Sequence, residues 1–445
     1  MSFEQLEKVP LSRRTSTLRS CTALSLVSLL LVAGCGKAAA PAASVPPAEE
    51  KHDPVKVTIG IKASGYLTEA EFKRYITDPV QKKYPWITTE RVIYTNNNLT
   101  EIVARGDTPD LIVSNNINGF PQLAELGLLD SMDDLIKKHG LDLKRFEDGA
   151  LDAIKLGSKR QELVALPYSR SFAVLYYSKE IFDKFAVAYP KDGMTWQQAA
   201  ELAKKVTRLD NGVQYRGLDP NVAERLGAQL SLAMVDSKTN RTLINTDPWK
   251  KVVSLMGDIY SIPGNGSITV KSAGAELLGK KKTLAMLPEG NILFGFGLDE
   301  SPDMWDMVTI PVWPEAPKIG MSPDEQIMVL SKTSKHRDDA MRVLSVVLSD
   351  EVQTDMSKNG RTSIMKDPEI QAAFAQDLAF MKGKNIQAIF KTQMANYEAT
   401  LYDTAANNGL AAAVKSIVTQ GKDVNTALRE AEESVNKKID ETLRK

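Results

Sequence analysis

Residues 163–177 read LVALPYSRSFAVLYY: two apolar runs, each able to form a buried strand, on either side of Pro167-Tyr168-Ser169-Arg170. The central tetrapeptide is too polar for a core interior. The chain is therefore expected to leave one sheet here and enter another, which makes this stretch a crossover between two lobes. Upstream, residues 55–61 alternate as a strand, and 68–83 carry helical periodicity with Thr68 as a candidate N-cap. A second strand is expected over 89–94, a short helix over 99–105 and a buried strand over 110–114 (DLIVS). Short helices over 121–127 and 132–140 each stop at a glycine. Strands and helices alternating at this spacing predict an α/β lobe with a largely parallel sheet.

Downstream, helices are expected over 179–186, 195–208 and 248–260. The second opens on Thr195-Trp196-Gln197-Gln198, a capping-box pattern. Residues 283–287 (TLAML) form a buried strand ending at Pro288-Glu289-Gly290-Asn291, and further strands are expected over 308–313 and 326–330. From Asp338 onward nearly everything reads as helix, ending with 424–443, and no repeat of 20 to 50 residues is visible.

The 445 residues suffice for two to three ordinary domains, and 43% apolar with 25% charged residues is ordinary for a globular protein. Lys+Arg and Asp+Glu each total 56. The chain thus has no broad positive field to attract nucleic acid. The N-terminus carries Arg13, Arg14 and Arg19, then an apolar run from Cys21 to Gly34, then Val32-Ala33-Gly34-Cys35 across its end. That run has 14 residues, short of the roughly 20 that span a bilayer. Its order resembles the lipobox of a bacterial lipoprotein signal, which implies a signal peptide over 1–34 and a lipid on the Cys35 thiol. An uncleaved N-terminal helix is the alternative. Loss of 1–34 would leave 52 basic against 54 acidic residues, a net charge of −2. Residues 35–54, rich in Ala and Pro, read as a lipid anchor and tether. Both cysteines, Cys21 and Cys35, precede the globular body, so that body contains no disulfide.

Several fragments, in order, resemble the extracellular solute-binding proteins of ABC importers, the family that includes maltose-binding protein. They are Thr108-Pro109-Asp110-Leu111-Ile112-Val113, Gly127-Leu128-Leu129-Asp130, Leu166-Pro167-Tyr168 with Val174-Leu175-Tyr176-Tyr177-Ser178-Lys179, and Thr195-Trp196-Gln197-Gln198. Gly279-Lys280-Lys281-Lys282-Thr283-Leu284-Ala285-Met286 and the helix over 340–356 complete the set. The resemblance covers residues 55–445. It implies an α/β, two-lobed periplasmic-binding-protein-like fold, each lobe a mostly parallel sheet flanked by helices, hinged around a central cleft. Carried over, lobe one is 55–167 plus 308–357 and lobe two is 171–305 plus 361–445. The function implied is capture of a small solute, a carbohydrate or oligosaccharide by family, and its delivery to ABC permease subunits. A membrane tie through Cys35, a monomeric state and no cofactor complete the expectation. A partner sensor kinase and a lipid-anchored glycosidase are the alternatives.

Candidate ligand groups sit where strands end. Ser64 and Tyr66 follow the first strand, where Tyr66 either stacks on the solute or covers its loop. Asn115 and Asn116 follow DLIVS and offer donors and acceptors suited to neutral polyols, or serve turn chemistry. Tyr168 and Arg170 lie at the crossover, the latter as a forked donor or a hinge salt bridge. Glu289 and Asn291 follow TLAML, where Glu289 either meets ligand or caps a helix. Trp313 is the expected aromatic platform, whereas Trp86, Trp196, Trp249 and Trp305 read as packing residues. The sequence departs from the maltose-binding pattern at Ser114 and Ile292, where that pattern has aromatic residues.

Chemistry is poorly represented. His52, His139 and His336 have no metal-ligand or relay spacing, and no H-E-x-x-H, G-x-S-x-G or phosphate-loop lysine motif occurs. Asp210-Asn211-Gly212 is a turn signal without the further ligands of a calcium loop. Neither a metal nor a catalytic group is expected.

Overall fold

A computed structural model describes residues 52–62, 67–95, 98–266, 273–321, 325–395, 397 and 400–444, with the backbone alone at 116–118. Cys35, Ser64 and Tyr66 lie outside the described residues, as does the side chain of Asn116. In chain order the described strands are β1 (Val55–Lys62), β2 (Ile87–Tyr94), β3 (Leu111–Asn115), β4 (Leu166–Arg170), β5 (Val174–Ser178), β6 (Arg208–Asp210) and β7 (Val213–Leu218). They continue with β8 (Val235–Asp236), β9 (Arg241–Thr242), β10 (Leu284–Glu289), β11 (Trp305–Thr309), β12 (Ile319–Met321), β13 (Glu325–Leu330), β14 (Thr362–Ser363) and β15 (Gln393–Met394).

Two sheets dominate: a six-stranded sheet ordered β14-β4-β13-β3-β1-β2 and a five-stranded sheet ordered β11-β5-β10-β7-β6. In the first, β1 pairs in parallel with β2 and β3, and β13 runs antiparallel between β3 and β4. The second mixes directions, for β7 and β10 are parallel while β5 is antiparallel to both β10 and β11. For β5 the reason is the crossing. Only Ser171, Phe172 and Ala173 separate β4 from β5. Entering the second sheet at the edge where β10 ends, β5 has to run against β10.

The crossing itself lies a few residues beyond the expected place. Pro167–Arg170 is not a linker but the body of β4, flanked by β13 and β14. Boundaries read from the sequence shift with it. Residues 305–309 pair with β5, so residue 308 lies inside a strand of the five-stranded sheet, and Thr362–Ser363 pair with β4 in the six-stranded one. The stretch after Asp338 is also less helical than expected, being broken by β14, β15 and two short 3-10 turns.

Local signals account for the flanking helices. Thr68 accepts from the Glu71 N–H while Glu71 takes the Thr68 N–H, and Thr195 with Gln198 does the same. The helix Asp403–Gln420 ends on Gly421 at φ +67°, and the next, Val424–Leu443, starts on the Asp423 cap. The fully buried β3 is anchored at its root by Asp110, whose carboxylate accepts from the Thr58 N–H (2.9 Å) and hydroxyl (2.8 Å) and from the Ser334 hydroxyl (2.7 Å). One apolar core surrounds the first sheet and two others flank the second. No helix among the described residues is long and apolar enough to cross a membrane.

Gly217 in β7 shows how closely the second sheet is packed. A Cβ there would stand 2.3 Å from the Ala203 carbonyl oxygen and 2.6 Å from the Ala203 Cα, on the helix Trp196–Val206 above it. Backbone cannot move aside as a side chain can. Gly217→Ala is expected to cost about 1–3 kcal/mol, seen as a lower urea midpoint at unchanged m-value.

Candidate functional site

Strand direction places one set of polar residues along a single edge of the first sheet. The carboxyl ends of β1, β3 and β4 lie there as Lys62, Asn115 and Arg170, beside the amino ends of β13 and β14 at Glu325 and Thr362. In the second sheet the carboxyl ends of β7 and β10 share an edge, leading to Asp219 and Glu289, with the amino end of β5 between them and β11. The three linking residues can span at most about 14 Å when extended. The two polar edges therefore meet at the crossing, and ligands of α/β sheets collect at such strand ends.

On the first edge the groups form a connected network. Tyr168 is fully buried, and its hydroxyl donates to Gln326 Oε1 (2.9 Å), which also accepts from Arg361 Nη1 (3.0 Å). Arg361 Nε donates to Glu71 Oε1 (2.7 Å), tying β14 to the helix that follows β1. Burial pulls the Glu71 carboxyl upward, but the Arg361 bond and charge outweigh it and hold it below the usual carboxylate range. Arg170 pairs with Glu147 (3.1 Å) and lies 5.9 Å from the Phe390 ring centre. Here desolvation prevails over the Arg170 charge, and the Glu147 carboxyl is raised. Both residues border a cavity of about 760 Å³ that also meets Glu325, Gln371 and Tyr397.

The second edge is built around Glu289. Its Oε2 accepts from Asn221 Nδ2 (2.7 Å), and its Oε1 accepts from the Gly290 N–H (2.8 Å) and from Arg225 Nη1. Burial raises this carboxyl, yet the Arg225 charge and the hydrogen bonds from Gly290, Arg225 and Asn221 bring it below the ordinary value. Asn221 holds φ +71°, a left-handed conformation that only glycine adopts freely. Asp219 accepts from the Tyr260 hydroxyl (2.8 Å) and from the Asn221 N–H (3.0 Å). Asn291 points elsewhere: its Nδ2 donates to the Gly360 carbonyl (2.9 Å) beside β14, a bond between the two sheets' segments.

The structure thus sorts the expected site residues. Asn115, Arg170, Glu289 and Asn291 all lie along the two polar edges. Tyr168 and Trp313 do not offer ligand-facing surface. Trp313 has no solvent exposure; its indole N–H donates to the Leu226 carbonyl (2.9 Å), and Lys251 Nζ sits 4.8 Å above the ring. It is a core residue rather than a platform, because distant segments of the chain close over it. Trp196, Trp249 and Trp305 are buried as expected, while Trp86 is half-buried and stacks on His52. Arg225, Asn221, Gln326 and Arg361 were not singled out by sequence. The one available signal was Asp219-Pro220-Asn221, a turn directly after a strand. Among the described residues no group of His, Cys, Asp and Glu could hold a metal ion.

The chain matches the model of the bacterial extracellular solute-binding protein family over residues 64–354, and it belongs to that family. Solved structures agree on the fold. An ABC substrate-binding protein from Listeria monocytogenes, in complex with cycloalternan, superposes with a TM-score of 0.68 at 19% identity, covering 87% of this chain and 99% of that one. A sugar transporter from Rhizobium etli, in an open conformation, gives 0.69 at 20% identity over 86% and 99%. UgpB from Mycobacterium tuberculosis, in complex with glycerophosphocholine, gives 0.67 at 15% identity over 87% and 99%. Comparison with curated proteins by sequence finds no match. The fold is the two-lobed α/β architecture of these binding proteins.

Placing Trp313 in the core makes its removal a matter of stability. Trp313→Ala should destabilise the protein by about 3–5 kcal/mol, lowering its melting temperature. Solute affinity per folded molecule, measured by calorimetry below the transition, should stay within twofold.

Proposed function

We propose that this protein captures a neutral, hydroxyl-rich solute, a carbohydrate or small oligosaccharide, between the two polar sheet edges and hands it to an ABC permease. The observation that carries this is the pair of strand edges joined by Ser171–Ala173, furnished with amides and with three carboxylate–guanidinium pairs. Such groups donate and accept without a net charge to neutralise, which suits hydroxyls. Membership of a family of binding proteins supports capture without chemical change. Lobe one is the body of the first sheet, about 55–170 with 325–363, and lobe two the body of the second, about 174–309 with 403–444. Closure of one on the other adds ligand contacts absent from the open state, so the ligand shifts the balance toward closure by its differential affinity. Retention at the outer face of the cell membrane is assigned to a lipid on Cys35.

A thermal-shift screen against mono- and oligosaccharides, amino sugars and peptides tests the ligand class. A saccharide at a hundredfold excess over its Kd should stabilise the protein by about 2.7 kcal/mol, raising the melting temperature. A rise with peptides and none with any saccharide would overturn the assignment. Recovery of each saccharide intact by chromatography is expected, and cleavage products would point to a hydrolase. Cys35→Ser should move the protein from the membrane fraction to the soluble one; a variant still sedimenting with membranes would refute the anchor.

A further inference from the structure

We infer that Arg225 is the specificity-determining donor of the second sheet's half of the site, and that its pairing with Glu289 restricts that half to uncharged, hydroxyl-bearing solutes. The inference rests on the carbohydrate function proposed above and assigns residues to it.

Both oxygens of Glu289 are already engaged within the protein, Oε2 by Asn221 and Oε1 by Arg225 and Gly290. The Glu289 side chain is only 14% exposed, against 29% for Arg225. Glu289 is thus the inner, filled member of the pair and acts as a positioning residue. Arg225 is the outer member. A guanidinium carries five N–H donors in a fixed fork, and among the described residues Arg225 spends only Nη1, on Glu289. Its Nε and Nη2 remain to donate. The residue stands one turn after Asn221, on the helix Ala223–Ala228 that follows β7, and its bond to Glu289 holds the guanidinium at the strand-end edge.

Charge around the fork sets the class of acceptor. Asp219 and Glu289 both lie on this edge, and Glu224 neighbours Arg225 in sequence, its Oε2 accepting from Asn407 (2.7 Å). Arg216 of β7 is buried, with Nε donating to the Asn265 carbonyl (2.8 Å). An anionic ligand would meet a guanidinium already neutralised by Glu289. A hydroxyl oxygen needs no such neutralisation, and a charged donor strengthens the bond it accepts.

The test uses the mature chain, its Arg225→Ala, Arg225→Lys and Glu289→Gln variants, and two named probes. These are maltotriose as the neutral saccharide and glycerol 3-phosphate as the anion, followed by calorimetry and thermal shift, with circular dichroism to verify folding. Glu289→Gln leaves Arg225 uncompensated and should create millimolar glycerol 3-phosphate binding that the parent protein lacks. Absence of that gain overturns the inference whether or not any saccharide binds. With maltotriose, or with whichever saccharide the screen above returns, Arg225→Ala should weaken binding at least tenfold. Arg225→Lys, which keeps charge but loses the fork, should fall between, and it is read in place of the alanine variant if that one does not fold. Parent-like saccharide binding in both variants also overturns the inference. A parent protein that binds no saccharide, together with phosphate binding gained in Glu289→Gln, would instead remove the carbohydrate function and leave the role of Arg225 standing.

Discussion

Three residues, Ser171, Phe172 and Ala173, impose the constraint from which the rest of this architecture follows. A link that short cannot carry the chain around a sheet, so β5 must begin beside the place where β4 stops. One consequence is that β5 runs against β10. Facing strand ends are another. Backbone groups and turn residues at strand ends are polar by nature, so bringing two such edges together makes a polar groove without any further provision. The Asn291–Gly360 hydrogen bond shows a second place where segments of the two sheets touch.

Paired charges line both edges. Glu147 with Arg170, Glu71 with Arg361 and Glu289 with Arg225 are three carboxylate–guanidinium pairs distributed over both edges. Half-buried pairs of this kind bring little net stability, because desolvation offsets most of the Coulomb attraction. Their effect is geometric. Each arginine fork links two or more elements: Arg361 joins β14 to Gln326 of β13 and to Glu71. Opposite carboxyl responses mark the difference in setting, since Glu71 and Glu289 are held low by hydrogen-bonded arginines while burial raises Glu147. The Arg170–Glu147 contact, though close, is not aligned as a hydrogen bond through Nε, which fits its weaker hold on that carboxyl.

Stability comes from the apolar layers instead. Both cysteines lie before residue 52, and no disulfide contributes to the body. Three apolar clusters take that role, with Trp196, Trp249 and Trp313 among the largest fully buried side chains. Each of these indoles also places its N–H on an internal acceptor, Gln229, the Ala233 carbonyl or the Leu226 carbonyl. A buried indole needs such a partner, and the pairing fixes how helices of the second lobe sit on their sheet.

Features carried by neighbours in the chain were legible from sequence. The N-cap at Thr68, the capping box at Thr195, the buried run of β3 and the alternation of β1 are local patterns, and local hydrogen bonding or periodicity is enough to produce them. The ordered family fragments and the near position of the crossing belong with these. Trp313 could not be placed, because Leu226 and Lys251, which enclose it, are distant in sequence. Nor could Arg225 be recognised, since its meaning depends on Glu289 arriving from a strand more than 60 residues away. Strand order, strand direction and the partner of every edge charge were left to the tertiary structure. A linear pattern reports which residues want burial or a partner, but the choice of partner depends on three-dimensional closure.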